Sequence, residues 1–414
     1  MWKILLQEFW NDLRTQKTRA FLTMFAITWG TLSVVLLLAF GEGLGRTMQS
    51  GLLNAGDRIF QIYGGETSQS YEGLDKGRRI RLIREDLDLL QRSIADVDLG
   101  SISYGRWGVA LQVGQNKTTT YMEGVGEAFE DMRRMYPAAG GRFLNAIDES
   151  QKRRVVFLGP ELAGRLFGET EPVGGSVMID GLPFTVVGIM QEKLQTSMNN
   201  GPDANRAIIP SSTFETIYGH RYIDHMVLRP RNVAVAPAVK QQIYEVLGRK
   251  YKFDASDERA LGIWDFIENE KESAKVFMGI QLFLGLVGGL TLLLAGVGVA
   301  NIMYVTVKER TREFGVKLAL GARKYHIKIQ VIFEALLIAL MGGAIGLLVS
   351  YGVVKAIQSL PNKEGAMEFL ANPVLSTPVA LLTVGVLTVI GLLAGYFPAR
   401  KAANVDPVES LRYE

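Results

Sequence analysis

The sequence predicts a membrane protein: four transmembrane α-helices, with a large mixed α/β extracytoplasmic domain inserted between helices 1 and 2. Three observations predict it. Apolar residues gather into four blocks of hydrocarbon length, and lysine and arginine cluster at the block ends on one side. The long segment between the first two blocks carries the patterns of soluble strands and helices. Composition fits this division: 48% of the 414 residues are hydrophobic and 21% charged, yet mean hydropathy is still +0.14, so the charges must lie outside the blocks.

Composition also excludes whole classes of function. The absence of cysteine removes a disulfide framework, a thiolate metal site and a thiol nucleophile. His220, His225 and His326 are too scattered for a zinc cluster. A net charge of +3 lacks the strongly basic balance of a nucleic-acid binder. No metal, no cofactor and no nucleic acid is expected on this chain.

The chain opens with an expected interfacial amphipathic helix over 1–19. Trp2, Leu5, Leu6, Phe9 and Leu13 hold helical spacing, with Lys3, Gln7, Asn11, Arg14 and Lys17 between them. Transmembrane helix 1 follows over 20–42, with Phe21 to Phe40 free of charge. That run is longer than the roughly 7–15 apolar residues of a leader peptide and no A-x-A site closes it, so a retained anchor is expected. Val276 to Val307, Ala335 to Val354 and Phe369 to Ala399 are the other uncharged blocks. They predict helices over 276–307, 330–354 and 376–399, the last delayed by Pro373 and Pro378. About 20 apolar residues cross a bilayer core of about 30 Å, so each is long enough.

Orientation follows from the basic residues near the span ends. Lys3, Arg14, Lys17 and Arg19 precede helix 1, and the tail over 400–414 adds Arg400, Lys401 and Arg412. The link over 308–329 holds Lys308, Arg310, Arg312, Lys317, Arg323, Lys324 and Lys328. The short loop over 355–375 has only Lys355 and Lys363, against Glu364 and Glu368. Both termini and the basic link are therefore expected in the cytoplasm, and residues 43–275 outside.

Within that outer segment, Arg58 to Tyr63 reads as a strand and Ile83 to Ile94 as a helix with Ile83, Leu87, Leu90 and Ile94 inward. Val109 to Val113 and Thr118 to Met122 alternate about a turn at Gln115–Asn116. Val155 to Leu158 is apolar, and a short helix after Pro160 ends at Gly168. Val177 to Ile179 and Phe184 to Ile189 flank Asp180–Gly181, a strong hairpin signal. Met226 to Leu228 reads as a strand, and Pro237 to Lys250 as a helix with Val239, Ile243, Val246 and Leu247 inward.

Nothing in it resembles an active site, since neither G-x-S-x-G nor H-E-x-x-H occurs. Glu268, Glu270 and Glu272 read as a solvated helix face, and Trp107 and Trp264 as core. Ile263 to Lys275 has no Pro or Gly, which extends the second span outward as a stalk. The uncharged part of that span alone makes roughly 48 Å of helix. Spans 1 and 2 are thus expected to join the outer domain mechanically to the membrane.

The link opens with Lys308, Glu309, Arg310, Thr311, Arg312 and Glu313, followed by an apolar ridge of Phe314, Val316, Leu318 and Leu320. Gly315 and Gly321 are expected to break it into a short helix with a turn. Charges select a partner and an apolar ridge seats in a groove, although a basic juxtamembrane segment also fixes topology and meets anionic lipid.

At this point the chain resembles the FtsX/MacB-type permeases of ABC transporters. The first span TRAFLTMFAITWGTLSVVLLLAFGEG is similar to theirs, as are GRFLNAIDESQKRRVVFLGPELAGRLFG and PVGGSVMIDGLPFTVVGI outside the membrane. ERTREFGVKLALGAR with GGAIG, and the terminal GLLAGYFPARKAANVDPVESLRYE, are the most specific signals.

The resemblance implies a dimer, of two copies or of two related permeases, around a cytoplasmic ATPase dimer. It implies an outer domain made of a porter-like subdomain, split over 43–135 and 225–262, around an inserted subdomain at 136–224, with a stalk helix over 263–275. It makes Lys308, Glu309, Arg310, Thr311, Arg312, Glu313, Phe314, Gly315, Leu318, Gly321 and Ala322 the ATPase-docking element. Arg400, Asp406, Pro407 and Glu409 belong to its cytoplasmic tail. No G-K-[ST] occurs, so the phosphate-binding loop, and with it ATP and Mg, is expected on a separate chain. Efflux with a periplasmic adaptor and outer-membrane channel, lipoprotein release, and control of cell-wall enzymes share this plan. The MacB-like outer motifs favour efflux, with the large domain periplasmic and the spans in the inner membrane.

Overall fold

The computed structural model describes residues 9–10, 17–195, 200–360 and 372–405. These fall into two units, Met48–Ala274 and the rest. Most of the expected interfacial helix over 1–19, part of the 355–375 loop including Lys363, and Asp406, Pro407 and Glu409 lie outside the described residues.

Four helices are long and apolar enough to cross a membrane: α1 (Lys17–Ala55), α8 (Phe266–Glu309), α10 (Lys324–Gln358) and α11 (Thr377–Ala403). On α8, Leu282, Leu286, Leu290 and Leu294 recur every fourth residue and are all exposed. Such a row suits hydrocarbon, and a water-facing helix would not carry it. On the inner side, α10 lies between α1 and α11 through small residues, which let backbones approach where lipid gives no hydrophobic drive. Its Gly342 and Gly346 meet Ile27 and Thr31 of α1, while Gly343 meets Leu387 of α11. Ala335 and Ala339 face Gly395 and Gly391. Thr28 donates to the Gly342 carbonyl at 3.0 Å. Beyond α10, the segment before α11 straps back onto α1: Val374 N–H donates to Ala39 O at 2.9 Å and Ser376 Oγ to Glu42 at 2.5 Å.

The second unit is built on nine strands. β1 (Phe60–Gly64), β8 (His225–Pro230), β9 (Leu261–Asp265) and the first half of β2 (Val97–Val113) form one antiparallel sheet in the order β2-β8-β1-β9. The helices α2 (Arg84–Ser93) and α7 (Ala236–Tyr251) connect its strand pairs, which makes two interleaved βαβ units. The second half of β2 pairs with β3 (Asn116–Val125) and with β5 (Ser176–Ile179). From β3 the order runs through β7 (Arg206–Pro210), β4 (Val155–Leu158) and β6 (Leu182–Ile189) to β5, so β2 closes a six-stranded ring. Pairing thus divides the domain inside β2, upstream of the expected boundary at 136, because β3 belongs to the ring through its parallel register with β7.

Local chemistry accounts for the hits and for the misses. Asp180 and Gly181 both take positive φ, 45° and 82°, and close β5 on β6 at the expected place. The β2–β3 turn falls one residue earlier than expected, at Gly114–Gln115, because Val113 pairs with Asn116. The stalk is shorter than expected. Residues 263–265 belong to β9, and Asp265 accepts from Ile267 and Glu268 N–H groups at 3.0 Å to start α8. Trp107 is 64% exposed, not core, since the register shift between Arg106 and Val109 breaks the alternation of β2.

Candidate functional site

The link between the second and third spans has almost no slack. α8 ends at Glu309 and α9 (Thr311–Ala319) begins after the single residue Arg310. Thr311 Oγ1 donates to Lys308 O at 2.7 Å and ties the joint. The helix then runs through Gly315 without a break. It ends at Ala319, and just beyond it Gly321, with a φ of +93°, turns the chain and lets Ala322 N–H reach Lys317 O at 3.0 Å.

A period of 3.6 sorts the expected docking residues onto different sides. Phe314 and Gly315 are buried and Leu318 is half-buried, all turned toward the membrane-helix core. Arg310, Thr311 and Ala322 are half-buried, whereas Lys308, Glu309, Arg312, Glu313 and Gly321 are exposed, as is Arg400 at the end of α11. The expected ridge is therefore split: Phe314 and Leu318 point inward, and Val316 and Leu320 point outward at 39% and 83% exposure. A single-face ridge needs spacing of three or four, not two. Arg312, Val316, Ala319 and Leu320 make the outward face.

Behind α9 lies an ion-pair chain. Arg310 Nε and Nη2 meet the two Glu313 oxygens at 2.7 and 3.0 Å, and Nη1 meets Glu334 of α10 at 2.8 Å. Lys317 pairs with Glu313 at 2.9 Å. Burial alone would raise the Glu313 carboxyl, but the hydrogen bonds and charges of Arg310 and Lys317 win and hold it down to about 2. Sequence patterns did not reveal Glu334. Its signal was a lone acid at the edge of an uncharged block, the position where a charge needs a partner.

The large domain holds a second buried ionic group. Asp203 receives Arg133 at 3.0 Å and Lys193 at 2.9 Å. Glu123 pairs with Arg206 and accepts from Ser103 at 2.6 Å. Burial alone would raise the Asp203 carboxyl, but Arg133, Lys193 and Arg206, the last at 3.5 Å, hold it well below the usual range. Burial draws Lys193 down to about 8. His225 Nε2 stands 3.8 Å from Glu123, and burial, with Arg133 and Arg206, lowers this imidazole to about 4 against the pull of Glu123. The ion pairs tie β3 to β7 and to the loop before β7. Among the described residues no cluster of histidine and carboxylate groups could hold a metal ion.

Comparison with known proteins places these features. The family model of the MacB-like periplasmic core domain matches residues 20–246, and that of the FtsX-like permease C-terminal region matches 285–407. The "Macrolide export ATP-binding/permease protein MacB" of Bdellovibrio bacteriovorus is 27% identical over 99% of this chain and 61% of its own length. The "Pyoverdine export ATP-binding/permease protein PvdT" of Pseudomonas syringae is 28% identical over 98% of this chain and 58% of its own. The chain thus spans about three fifths of the curated relatives it matches. The periplasmic region of MacB from Actinobacillus actinomycetemcomitans is 19% identical, with a TM-score of 0.43 over 54% of this chain and 95% of that one. With one family model over more than half of its length and a second over the remaining spans, the chain belongs to the FtsX/MacB-type permeases of ABC transporters.

Proposed function

We propose that this chain is the permease subunit of a MacB-type exporter, passing ATP-driven closure of a separate ATPase dimer to its periplasmic domain. In this reading the termini and the 308–329 link face the cytoplasm of an inner-membrane protein. A second copy or a related permease completes the dimer, and ATP and Mg reside on the partner. A periplasmic adaptor and an outer-membrane channel carry the exported molecule onward. The names of the relatives, one for macrolide and one for pyoverdine export, favour export over lipoprotein release or cell-wall control.

The observation that carries the reading is the outward face of α9. Leu320 stands 83% exposed beside Val316 and Arg312, on an element joined to two membrane-length helices. An apolar knob with a charge on the same helix face is the chemistry of a docking anchor: the knob supplies affinity, the charge sets register. The test is a mild-detergent pull-down of the tagged full chain. The parent is expected to bring down an ATPase, and Leu320→Asp to lose it by at least about tenfold, as for a hot spot of about 2 kcal/mol. Capture of a wall hydrolase or kinase in place of an ATPase would sink the exporter reading.

A further inference from the structure

We propose that Arg310 is a positioning residue, latching α9 to α10 through Glu334 so that the two helices move as one body. This rests on the docking reading above and deepens it. The docking surface would be the outward face of α9, and Arg310 would convert a push on that face into movement of α10.

The geometry is a ladder. Arg310, Glu313 and Lys317 lie at i, i+3 and i+7 on one side of α9, and Gln330 and Glu334 lie one turn apart on α10. The upper rung is Arg310 to Glu334 at 2.8 Å, and the lower is Lys317 to Gln330 at 3.4 Å. Glu313 bridges the two cations from within α9. The Arg310 guanidinium also lies over the Phe314 ring, 5.2 Å from its centroid. It therefore binds one carboxylate edge-on with two nitrogens and a second carboxylate with the third. A lysine has the charge but not the fork.

Both partners are shielded, at 11% and 9% side-chain exposure. Parting them strands a shielded carboxylate, so the contact resists opening. The movement has somewhere to go, because α10 is close-packed on α1 and α11 through Gly346 and Gly343.

The experiment has two arms. In the first, hydrogen exchange is measured on the purified full chain alone in lipid nanodiscs. Glu334→Gln and Arg310→Lys should each speed exchange over 311–319 by about tenfold or more, the factor one charge-assisted hydrogen bond is worth. Exchange in β1 and β8 should not change.

In the second, the full chain is co-purified with its ATPase. Glu334→Gln, which lies outside the docking element, should capture the ATPase at parental yield, yet lose the change in ATP turnover that the parent imposes on it. Lys317→Cys joined to Gln330→Cys by a short bifunctional maleimide, on the Glu334→Gln background, should restore that change. Parental exchange in both variants, loss of ATPase capture by Glu334→Gln, or failure of the cross-link to restore turnover would each overturn the latch. If the parent itself captures no ATPase, the docking reading falls, and the exchange arm still decides whether Arg310 holds α9.

Discussion

At His225, burial and two arginines act in one direction and one carboxylate in the other. Burial, Arg133 and Arg206 win over Glu123, so the folded imidazole titrates near 4 and not at the ordinary 6.5. Between those values the unfolded chain binds more protons than the folded one. Stability is then complete above about 6.5 and is lost as pH falls toward 4, by up to about 3 kcal/mol for the full shift. Glu123, held below its ordinary value of 4.5 despite burial, adds its own loss only as pH falls below about 4.5, at the acid end of that window. The unfolding midpoint of the large domain, followed in the full chain, should therefore drop steadily from pH 6.5 to 4. His225→Gln should flatten that slope. An unchanged slope in the variant would move the acid sensitivity to another group.

At the scale of elements, close helix packing sets the limits. A Cβ on Gly346 would lie 2.7 Å from the Thr31 Cβ and 2.9 Å from the Thr28 carbonyl oxygen, whereas one on Gly352 meets nothing within 4 Å. Gly346→Leu should therefore wedge α10 from α1 and cost about 1–3 kcal/mol, seen as a lower melting point in detergent. Gly352→Leu, on the same helix, should leave it unchanged; equal losses would show that the helix tolerates no bulk anywhere. GGAIG was legible in the sequence as a signature, but its division between two neighbours needed the fold. The same boundary recurs elsewhere. The β5–β6 hairpin was legible because Asp180–Gly181 is a local signal. β9 was not, since Leu261 to Asp265 has a short apolar pattern that suits strand or helix, and its pairing with β1 across the whole domain decides. Trp107 was misread because a bulge is invisible to strict alternation. The link after α8 was legible as a segment, while the inward and outward halves of α9 depended on what α10 presents to it.

For the whole molecule, the decisive question is the number of membrane crossings between marked points. Ser150 is exposed in the large domain, Ala319 on the outward face of α9, and Asn404 just beyond α11. One membrane-length helix, α8, separates Ser150 from Ala319, and two, α10 and α11, separate Ala319 from Asn404. One crossing changes sides and two restore it. Lys324 Nζ lies 3.5 Å from the Asn404 side-chain oxygen, which agrees with the start of α10 and the end of α11 sharing a side. On the reading proposed above, the basic residues concentrated at those ends put that side in the cytoplasm. The chain has no cysteine, so single cysteines can be introduced without removing any. In spheroplasts, a membrane-impermeant maleimide should label Ser150→Cys at once, and Ala319→Cys and Asn404→Cys only after permeabilisation. If Ser150→Cys and Ala319→Cys label together, α8 does not cross and the four-span topology fails. If Asn404→Cys parts from Ala319→Cys, then one of α10 and α11 enters the bilayer without leaving on the far side. In that case α9 and the end of α11 could not face the same ATPase.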